Sequence, residues 1–245
     1  MGIFMVPERD YDSLELELFK SAKNWKRYLS HVIRPHLKGS VLEVGAGIGG
    51  FTKAICLEMR PNQVDSWWCL EPDAEQTAII QNDIDREILP AFCTAMAGTL
   101  DSLPDHKTFD IILYIDVLEH IEDDRAELAN SAAHLALGGK LVVLAPAYGW
   151  LFSELDRVVG HFRRYTSGSL VSLDPPDTKF LSCRYYDCVG ITASLANRIL
   201  LRQGIPTPAQ IFVWDRYMVP ISRRIDPLIG HRIGKSVLGI WEKAS

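Results

Sequence analysis

The sequence predicts an α/β fold in which helices cover both faces of a mostly parallel sheet. Two observations predict it. Apolar runs of strand length alternate with segments of helical spacing between residues 41 and 145, and such alternation is typical of parallel sheets. No linker, internal repeat or low-complexity segment interrupts the 245 residues. We therefore expect a single domain over residues 1–245.

The predicted strands are short apolar runs that end at glycine, proline or acidic residues. They cover residues 41–44, 66–70, 92–97, 109–115 and 141–145, with two further strands at 180–186 and 236–241. Helices are predicted within 13–37 and over 51–58, 74–80, 123–137 and 209–225. The C-terminal part of the chain is thus expected to place helices between its last two strands.

Single residues set the expected helix ends. Pro35 marks the end of the first helix, and Asp73 is a good N-cap for the helix that follows it. Gly138 and Gly139 are expected to end the helix that begins near residue 123. Pro220 is expected to break the long C-terminal helix, because proline cannot donate the hydrogen bond that a helix interior requires.

The composition is that of an ordinary globular protein, with 47% hydrophobic residues, 23% charged residues and a net charge of -5. A nucleic-acid-binding domain would usually be basic, so no nucleic-acid partner is expected. The five cysteines are scattered without a C-x-x-C pair, so neither a disulfide framework nor a metal site is predicted. No signal-peptide pattern is present, and no apolar run approaches the roughly 20 residues of a membrane span. We expect a cytoplasmic protein.

A glycine-rich loop follows the first predicted strand. Gly45, Gly47, Gly49 and Gly50 lie between a strand and a helix, which is where open α/β sheets bind nucleotides. Their spacing also satisfies the Gly-x-Gly-x-x-Gly fingerprint of dinucleotide-binding folds. A tight turn without a ligand is a third interpretation of the same glycines.

Two carboxylates bear on which nucleotide the loop would bind. Glu43 lies inside the end of the first strand, where it suits a ligand that carries an ammonium group and would repel a pyrophosphate. Glu71 ends the second strand, where a carboxylate can accept hydrogen bonds from both ribose hydroxyls, as it does in NAD enzymes. S-adenosylmethionine has an amino group and a ribose but no phosphate. Glu43 therefore favours this cofactor over NAD.

Three runs resemble motifs of the class I S-adenosylmethionine-dependent methyltransferases. They are the run VLEVGAGIG at 41–49, LEPD at 70–73, and the fourth strand with its following turn DVLEHI at 110–121. The resemblance implies a Rossmann-like three-layer sandwich with a seven-stranded, mostly parallel sheet and a reversed C-terminal strand. It also implies an N-terminal helical cap at 1–38, a cofactor-binding core at 39–146, and acceptor-side elements with the last strands at 147–245.

The resemblance further implies which residues bind S-adenosylmethionine, whose product is S-adenosylhomocysteine. Glu43 is placed near the amino group and Glu71 at the ribose diol. Thr99 and Leu100 are placed at the adenine, although many members have an aspartate where Thr99 stands. The other residues implied to contact the cofactor are Trp25, Gly45, Ala46, Gly47, Gly49, Pro72, Ile115, Asp116 and Val117.

The acceptor is expected to be a small molecule or a sugar that is methylated on oxygen or nitrogen. The run GHFRRY at 160–165 follows the fifth predicted strand and resembles a bacterial subgroup often associated with glycan or specialised-metabolite pathways. His120, His161 and Tyr165 are the candidates for catalysis, since an oxygen or nitrogen acceptor can require a base. A structural alternative for His120 is that it packs or caps its own turn.

Other residues are candidates for binding the acceptor. Arg163 and Arg164 suit an anionic or hydroxylated group, and the alternative is a loop held by a salt bridge from Asp156 to one of them. Tyr11 and Tyr148 either form walls of the acceptor pocket or only pack. An apolar stripe within 211–228 is a dimer face, a membrane-surface helix or ordinary packing, so both a monomer and a homodimer remain open. The rival functions are a non-methylating enzyme, a non-catalytic cofactor-binding partner and an NAD-dependent oxidoreductase.

Overall fold

The computed structural model describes residues 18–60, 62–196 and 205–244. These residues contain a seven-stranded sheet with the strand order β3-β2-β1-β4-β5-β7-β6. The strands are β1 (Ser40–Val44), β2 (Ser66–Glu71), β3 (Cys93–Ala97), β4 (Phe109–Ile115), β5 (Leu135–Pro146), β6 (Thr178–Tyr186) and β7 (Ser236–Lys243). The first five strands pair in parallel, and β7 runs antiparallel to both of its neighbours. The predicted sheet with a reversed last strand is confirmed.

Helices cover both faces of this sheet. They are α1 (Lys23–Ile33), α2 (Gly50–Cys56), α3 (Ala74–Asp85), α4 (Asp124–Ala133), α5 (Glu154–Val158), α6 (Ser167–Val171), α7 (Gly190–Ala196), α8 (Pro208–Val213) and α9 (Val219–Leu228). A π-turn, Trp214–Met218, joins α8 to α9. No helix within the described residues is long and apolar enough to cross a bilayer.

The alternation of side chains along the strands divides the apolar core in two. In β1, Val41 packs with Trp25 and Ile55 on one face of the sheet, whereas Leu42 packs with Leu118 and Leu128 on the other. All six side chains are almost fully buried. Because successive strand residues point to opposite faces, a continuous apolar strand serves both cores at once. Burial on both faces of the sheet holds each central strand in place, and it thereby positions the loop that follows the strand.

Helix α1 is held in place by residues from the far end of the chain. It lacks a side-chain N-cap of its own. Instead the backbone N–H of Trp25 donates to Asp215 Oδ1 at 2.9 Å, and the N–H of Asn24 donates to Asp215 Oδ2 at 3.2 Å. Tyr28 donates to Asp226 Oδ2 at 2.8 Å. The π-turn and α9 thus supply the cap and the anchor of the N-terminal helix.

Two predictions, one about where a helix ends and one about where a helix breaks, are wrong. The helix that begins after Asp123 ends at Ala133 rather than at Gly138–Gly139, because β5 already begins at Leu135. The two glycines lie inside β5, where the pairing with β4 shifts register. A Cβ on Gly139 would meet the Ala136 carbonyl oxygen at 2.7 Å. The glycine pair therefore permits an irregular strand and does not cap a helix.

The C-terminal helix is not broken at Pro220. Helical structure continues from Pro208 to Leu228 through the π-turn, and Pro220 lies in the first turn of α9. The change of hydrogen-bond register just before Pro220 accommodates the missing donor. The other six predicted strands agree with the structure within two residues, and Asp73 caps α3 by accepting from the N–H groups of Glu75 and Gln76.

Candidate functional site

A cavity of about 1480 Å³ opens beside the carboxyl ends of β1 and β4. The chain moves outward from β1 to β3 and then returns to the other side of β1 with β4, so the strand order reverses at this point. Such a switch point leaves a crevice between the loops that leave the two strands. Helix α1, the π-turn and the segment around α5 supply the remaining walls. The fold itself therefore creates the space for a ligand.

The loop after β1 forms one wall of the cavity. The backbone N–H of Gly45 donates to the Leu70 carbonyl at 2.8 Å, which ties the loop to the end of β2. Gly45 has a φ of 67°, and a Cβ there would lie 2.6 Å from a Val117 methyl group. Only glycine satisfies both constraints. The loop backbone and the β4 loop thus approach closely at the centre of the site.

Glu71 is fixed at the end of β2. Its Oε2 accepts from the Gly47 N–H at 2.8 Å, and its Oε1 accepts from the Asp73 N–H at 3.0 Å. The residue is 8% exposed and lines the cavity. Each carboxylate oxygen can accept a further hydrogen bond. Glu71 therefore presents a positioned acceptor to the cavity.

Glu43 lines the same cavity, but its side chain is tied to the interior. Its Oε2 accepts from Thr52 Oγ1 at 2.6 Å and from Trp67 Nε1 at 3.0 Å. Burial raises the pKa of the Glu43 carboxyl to about 7, although these two hydrogen bonds act in the opposite direction. The residue joins α2 to β2, a role that the sequence reasoning did not foresee. Its predicted contact with an ammonium group stays a prediction.

Helix α1 contributes an aromatic ring and a cation. Trp25 packs against Trp214 with ring centroids 5.9 Å apart, and both rings line the cavity. Lys26 Nζ lies beside the glycine loop, 3.2 Å from where a Cβ on Gly50 would be. Burial, reinforced by the charge of Lys53, lowers the pKa of Lys26. A cation partly removed from water at this position is suited to an anionic group of a ligand.

Most of the predicted cofactor contacts share this cavity. Besides the residues described above, its lining includes Ala46, Gly47, Pro72, Thr99, Leu100, Ile115, Asp116 and Val117. Gly49 is not part of the lining, since it lies at the start of α2 with a φ of 70°.

The opposite wall is formed by the turn after β4 and by the segment from Ser153 to Tyr165. His161 Nδ1 lies 2.9 Å from Asp156 Oδ1, and the rings of His161 and His120 are perpendicular with centroids 4.4 Å apart. Glu119 is fully buried, and its Oε1 lies 3.9 Å from His161 Nε2. The predicted histidines are therefore brought together, and two carboxylates accompany them.

Asp156 organises this wall. Arg164 donates to both of its oxygens, from Nε at 2.7 Å and from Nη2 at 2.8 Å. Burial alone would raise the pKa of the Asp156 carboxyl, but hydrogen bonds from His161, Arg164 and Ser153 hold it well below its usual range. The salt bridge considered as the alternative for this loop is therefore formed, between Asp156 and Arg164.

Tyr165 and Arg163 lie outside the cavity lining. Tyr165 is 2% exposed, and its hydroxyl donates to Asp124 Oδ2 at 2.7 Å. Arg163 Nη1 forms a salt bridge with the same carboxylate at 2.8 Å. These two residues, predicted for catalysis and acceptor binding, instead attach their segment to the start of α4.

Of the two predicted tyrosine walls, Tyr148 is not part of the cavity lining. Tyr148 stacks on Tyr185 with centroids 5.0 Å apart and on Trp150 at 5.4 Å, outside the lining. Tyr11 lies outside the described residues. The lining residues that the predicted site omitted include Glu119, Asp156 and Lys26. The adjacency of Glu119 to His120 and the spacing of Asp156 from His161 were the available signals.

The chain is similar to known methyltransferase domains. A family model described as a methyltransferase domain matches residues 16–174, more than half of the chain. No curated protein matches the sequence.

Solved structures share the fold at low sequence identity. An S-adenosylmethionine-dependent methyltransferase from Clostridium acetobutylicum ATCC 824 is 11% identical with a TM-score of 0.56, covering 96% of this chain and 100% of that one. Coclaurine N-methyltransferase bound to N-methylheliamine and SAH is 11% identical with a TM-score of 0.59, covering 88% and 71%. The 4+2 cyclase SpnF is 16% identical with a TM-score of 0.58, covering 89% and 80%.

The family model and the sheet with its reversed last strand lead to the same assignment. The chain belongs to the class I S-adenosylmethionine-dependent methyltransferase family.

Proposed function

We propose that this protein transfers a methyl group from S-adenosylmethionine to an oxygen or nitrogen atom of a small-molecule or sugar acceptor. The observation that carries the proposal is that Glu71 with the glycine loop and the pair His120–His161 line one cavity. The first group suits a nucleoside ligand, and the second suits a polar acceptor. A cofactor and an acceptor bound in the same cavity can react directly.

The residues present fit S-adenosylmethionine chemically. Glu71 offers carboxylate oxygens to a ribose diol, and the apolar side chain of Leu100 lines the cavity where an adenine is expected. Lys26 beside the glycine loop suits the carboxylate of the methionine part. Asp116 lines the cavity where the methionine part is expected, and Glu43 lines it beneath the glycine loop with its side chain bonded to Thr52 and Trp67. A pyrophosphate would be repelled by this acidic set.

S-adenosylmethionine supplies a methyl group that is already activated by a positively charged sulfur. The chain therefore has to hold the partners in line and exclude water. Trp25 and Trp214 close one side of the cavity with apolar surface. Val117 packs against Gly45 and so fixes the loop after β4 at the middle of the cavity. His120 and His161 face the acceptor side, where polar groups orient an oxygen or nitrogen nucleophile.

Two measurements test this function. Calorimetry is expected to show binding of S-adenosylhomocysteine, and no binding would overturn the proposal. Incubation with methyl-labelled S-adenosylmethionine and a panel of sugars, phenols and amines is then expected to give a labelled product in mass spectrometry. An acceptor that is converted without gaining the label would favour a non-methylating reaction, such as that of the cyclase with the same fold.

A further inference from the structure

Three ligand atoms lie close together on the acceptor side of the cavity. One atom each from Glu119, His120 and His161 falls within 4.8 Å of the others. Glu119 is fully buried, and the His161 side chain is 6% exposed. We propose that these three residues bind a divalent transition-metal ion, although the sequence analysis predicted no metal site. The metal site itself does not depend on the proposed function. Only the acceptor that the ion would hold rests on that function.

The arrangement behind His161 is that of a metal ligand. Its Nδ1 lies 2.9 Å from Asp156 Oδ1, so the Nδ1–H donates to the carboxylate, and in the neutral imidazole this tautomer leaves the lone pair on Nε2. Nε2 is the nitrogen that faces Glu119. Histidines that bind metals generally donate their other nitrogen to a carboxylate or carbonyl, which fixes the tautomer and the ring orientation. Asp156 has this positioning role, and Arg164 holds Asp156 in turn.

The two segments that carry the ligands are fastened to each other. The N–H of Phe162 donates to the Glu119 carbonyl at 2.8 Å, beside His161 in one segment and His120 in the other. The Tyr165 hydroxyl lies 3.3 Å from the Leu118 carbonyl. Ligand atoms around one zinc-like ion lie about 3 Å apart, from bond lengths of roughly 2 Å. The backbones are therefore in place, and small side-chain rotations complete the site.

The donor set selects the class of metal. Two imidazole nitrogens and one carboxylate suit ions such as Zn²⁺, Mn²⁺, Fe²⁺ and Co²⁺, whereas Mg²⁺ prefers oxygen ligands only. Three protein ligands leave at least one coordination position for another molecule. All three residues line the cavity, so that position faces the acceptor. A metal ion lowers the pKa of a coordinated hydroxyl group, so we infer an acceptor that binds through oxygen.

Cobalt titration of the purified, chelator-treated protein tests the site. Co²⁺ is expected to bind one ion per chain with visible d–d absorption, and Zn²⁺ but not Mg²⁺ is expected to displace it. Glu119→Gln keeps the side-chain volume and is expected to weaken Co²⁺ binding by more than about 10-fold, as is His161→Ala, because each removes a ligand. Asp156→Asn is expected to weaken it by about 10- to 100-fold. His106→Ala, at an exposed turn outside the cavity, is the control and is expected to bind Co²⁺ normally.

Binding of S-adenosylhomocysteine is measured for each variant as a separate readout. Retained binding of this nucleoside with lost Co²⁺ binding supports the metal site, and it shows that the variant is folded. If His161→Ala does not fold, Glu119→Gln gives the same comparison. Absence of Co²⁺ binding to the unaltered protein, or equal binding by the unaltered protein and by Glu119→Gln, overturns the metal site. Co²⁺ binding without binding of the nucleoside would instead overturn the proposed function and leave the metal site standing.

Discussion

The two ends of the cavity are built by different means. At the glycine-loop end, backbone groups hold the structure together, because the loop N–H groups donate to the Leu70 carbonyl and to Glu71. At the opposite end, charged side chains form ion pairs: Asp156 pairs with Arg164 inside its own segment, and Arg163 pairs with Asp124 at the start of α4. The first end depends on local conformation, and the second depends on charges that meet only in the folded chain.

This difference predicts different sensitivities. Removing one member of a buried ion pair leaves the other charge uncompensated, which costs several kcal/mol. Removing one acceptor from a backbone-built loop costs less in stability and acts mainly on the ligand. Substitutions near His161 are therefore expected to lower the free energy of unfolding. Substitutions near Glu71 are expected mainly to weaken binding of the nucleoside.

The largest effect is expected for Asp156→Ala. The variant removes a buried carboxylate and leaves the partly buried Arg164 and His161 without it, so the free energy of unfolding is expected to fall by about 3–5 kcal/mol. Urea denaturation measures this change. Arg27→Ala, which removes a surface salt bridge to Glu58, is the control and is expected to cost under about 1 kcal/mol. Equal losses for the two variants would contradict the assigned role of Asp156.

A pH-dependent effect is expected from Glu43, beneath the glycine loop. Because burial raises its pKa in the folded chain from 4.5 to about 7, the folded state binds the proton more tightly than the unfolded state. The stabilisation that comes from the protonated Glu43 carboxyl is fully present below pH 4.5 and is lost as the pH rises through 7. Relative to Glu43→Gln, the unaltered protein is expected to lose about 2–3 kcal/mol of stability between about pH 5 and pH 8. Parallel pH dependence of the two proteins in urea denaturation would show that Glu43 ionises normally.

Glu71→Ala tests the nucleoside end. The variant is expected to weaken S-adenosylhomocysteine binding by about 1.5–3 kcal/mol in calorimetry, since it removes hydrogen bonds to a charged group. Glu75→Ala is the matched control, because this acid is exposed, lies in the same region and is not part of the lining. Unchanged affinity of Glu71→Ala would refute its role at the ribose.

The smallest effect is expected for Asp73→Ala, beside the same end. Asp73 Oδ1 accepts from the N–H of Glu75 at 2.7 Å and of Gln76 at 3.1 Å. Loss of this N-cap is expected to lower the free energy of unfolding by about 1 kcal/mol. Thermal and urea denaturation measure it. A loss as large as that of Asp156→Ala would erase the distinction between the two ends.

The contrast also explains what the sequence could predict. Six of the seven strands and the lining role of Gly45 and Glu71 follow from local patterns, whereas the reversed C-terminal strand was implied by the resemblance to methyltransferases. The roles of Tyr165 and Arg163 could not be predicted, because their common partner Asp124 lies about 40 positions away in the chain. The direction of the Glu43 side chain depends on Thr52 and Trp67 in other elements. Local patterns therefore predict most of the backbone, whereas ion pairs between residues far apart in the chain depend on packing.

The cap that Asp215 places on helix α1 links the cavity to the order in which the chain is made. Trp25 belongs to the first described helix, yet its N–H is bonded to a residue 190 positions later. The N-terminal helix is synthesised early and acquires this anchor only after the π-turn has left the ribosome. Before that time the chain lacks Trp214 and the rest of the π-turn, which form part of the cavity wall. Tight cofactor binding would therefore begin only when the last third of the chain has been added, and cofactor capture would report completed folding.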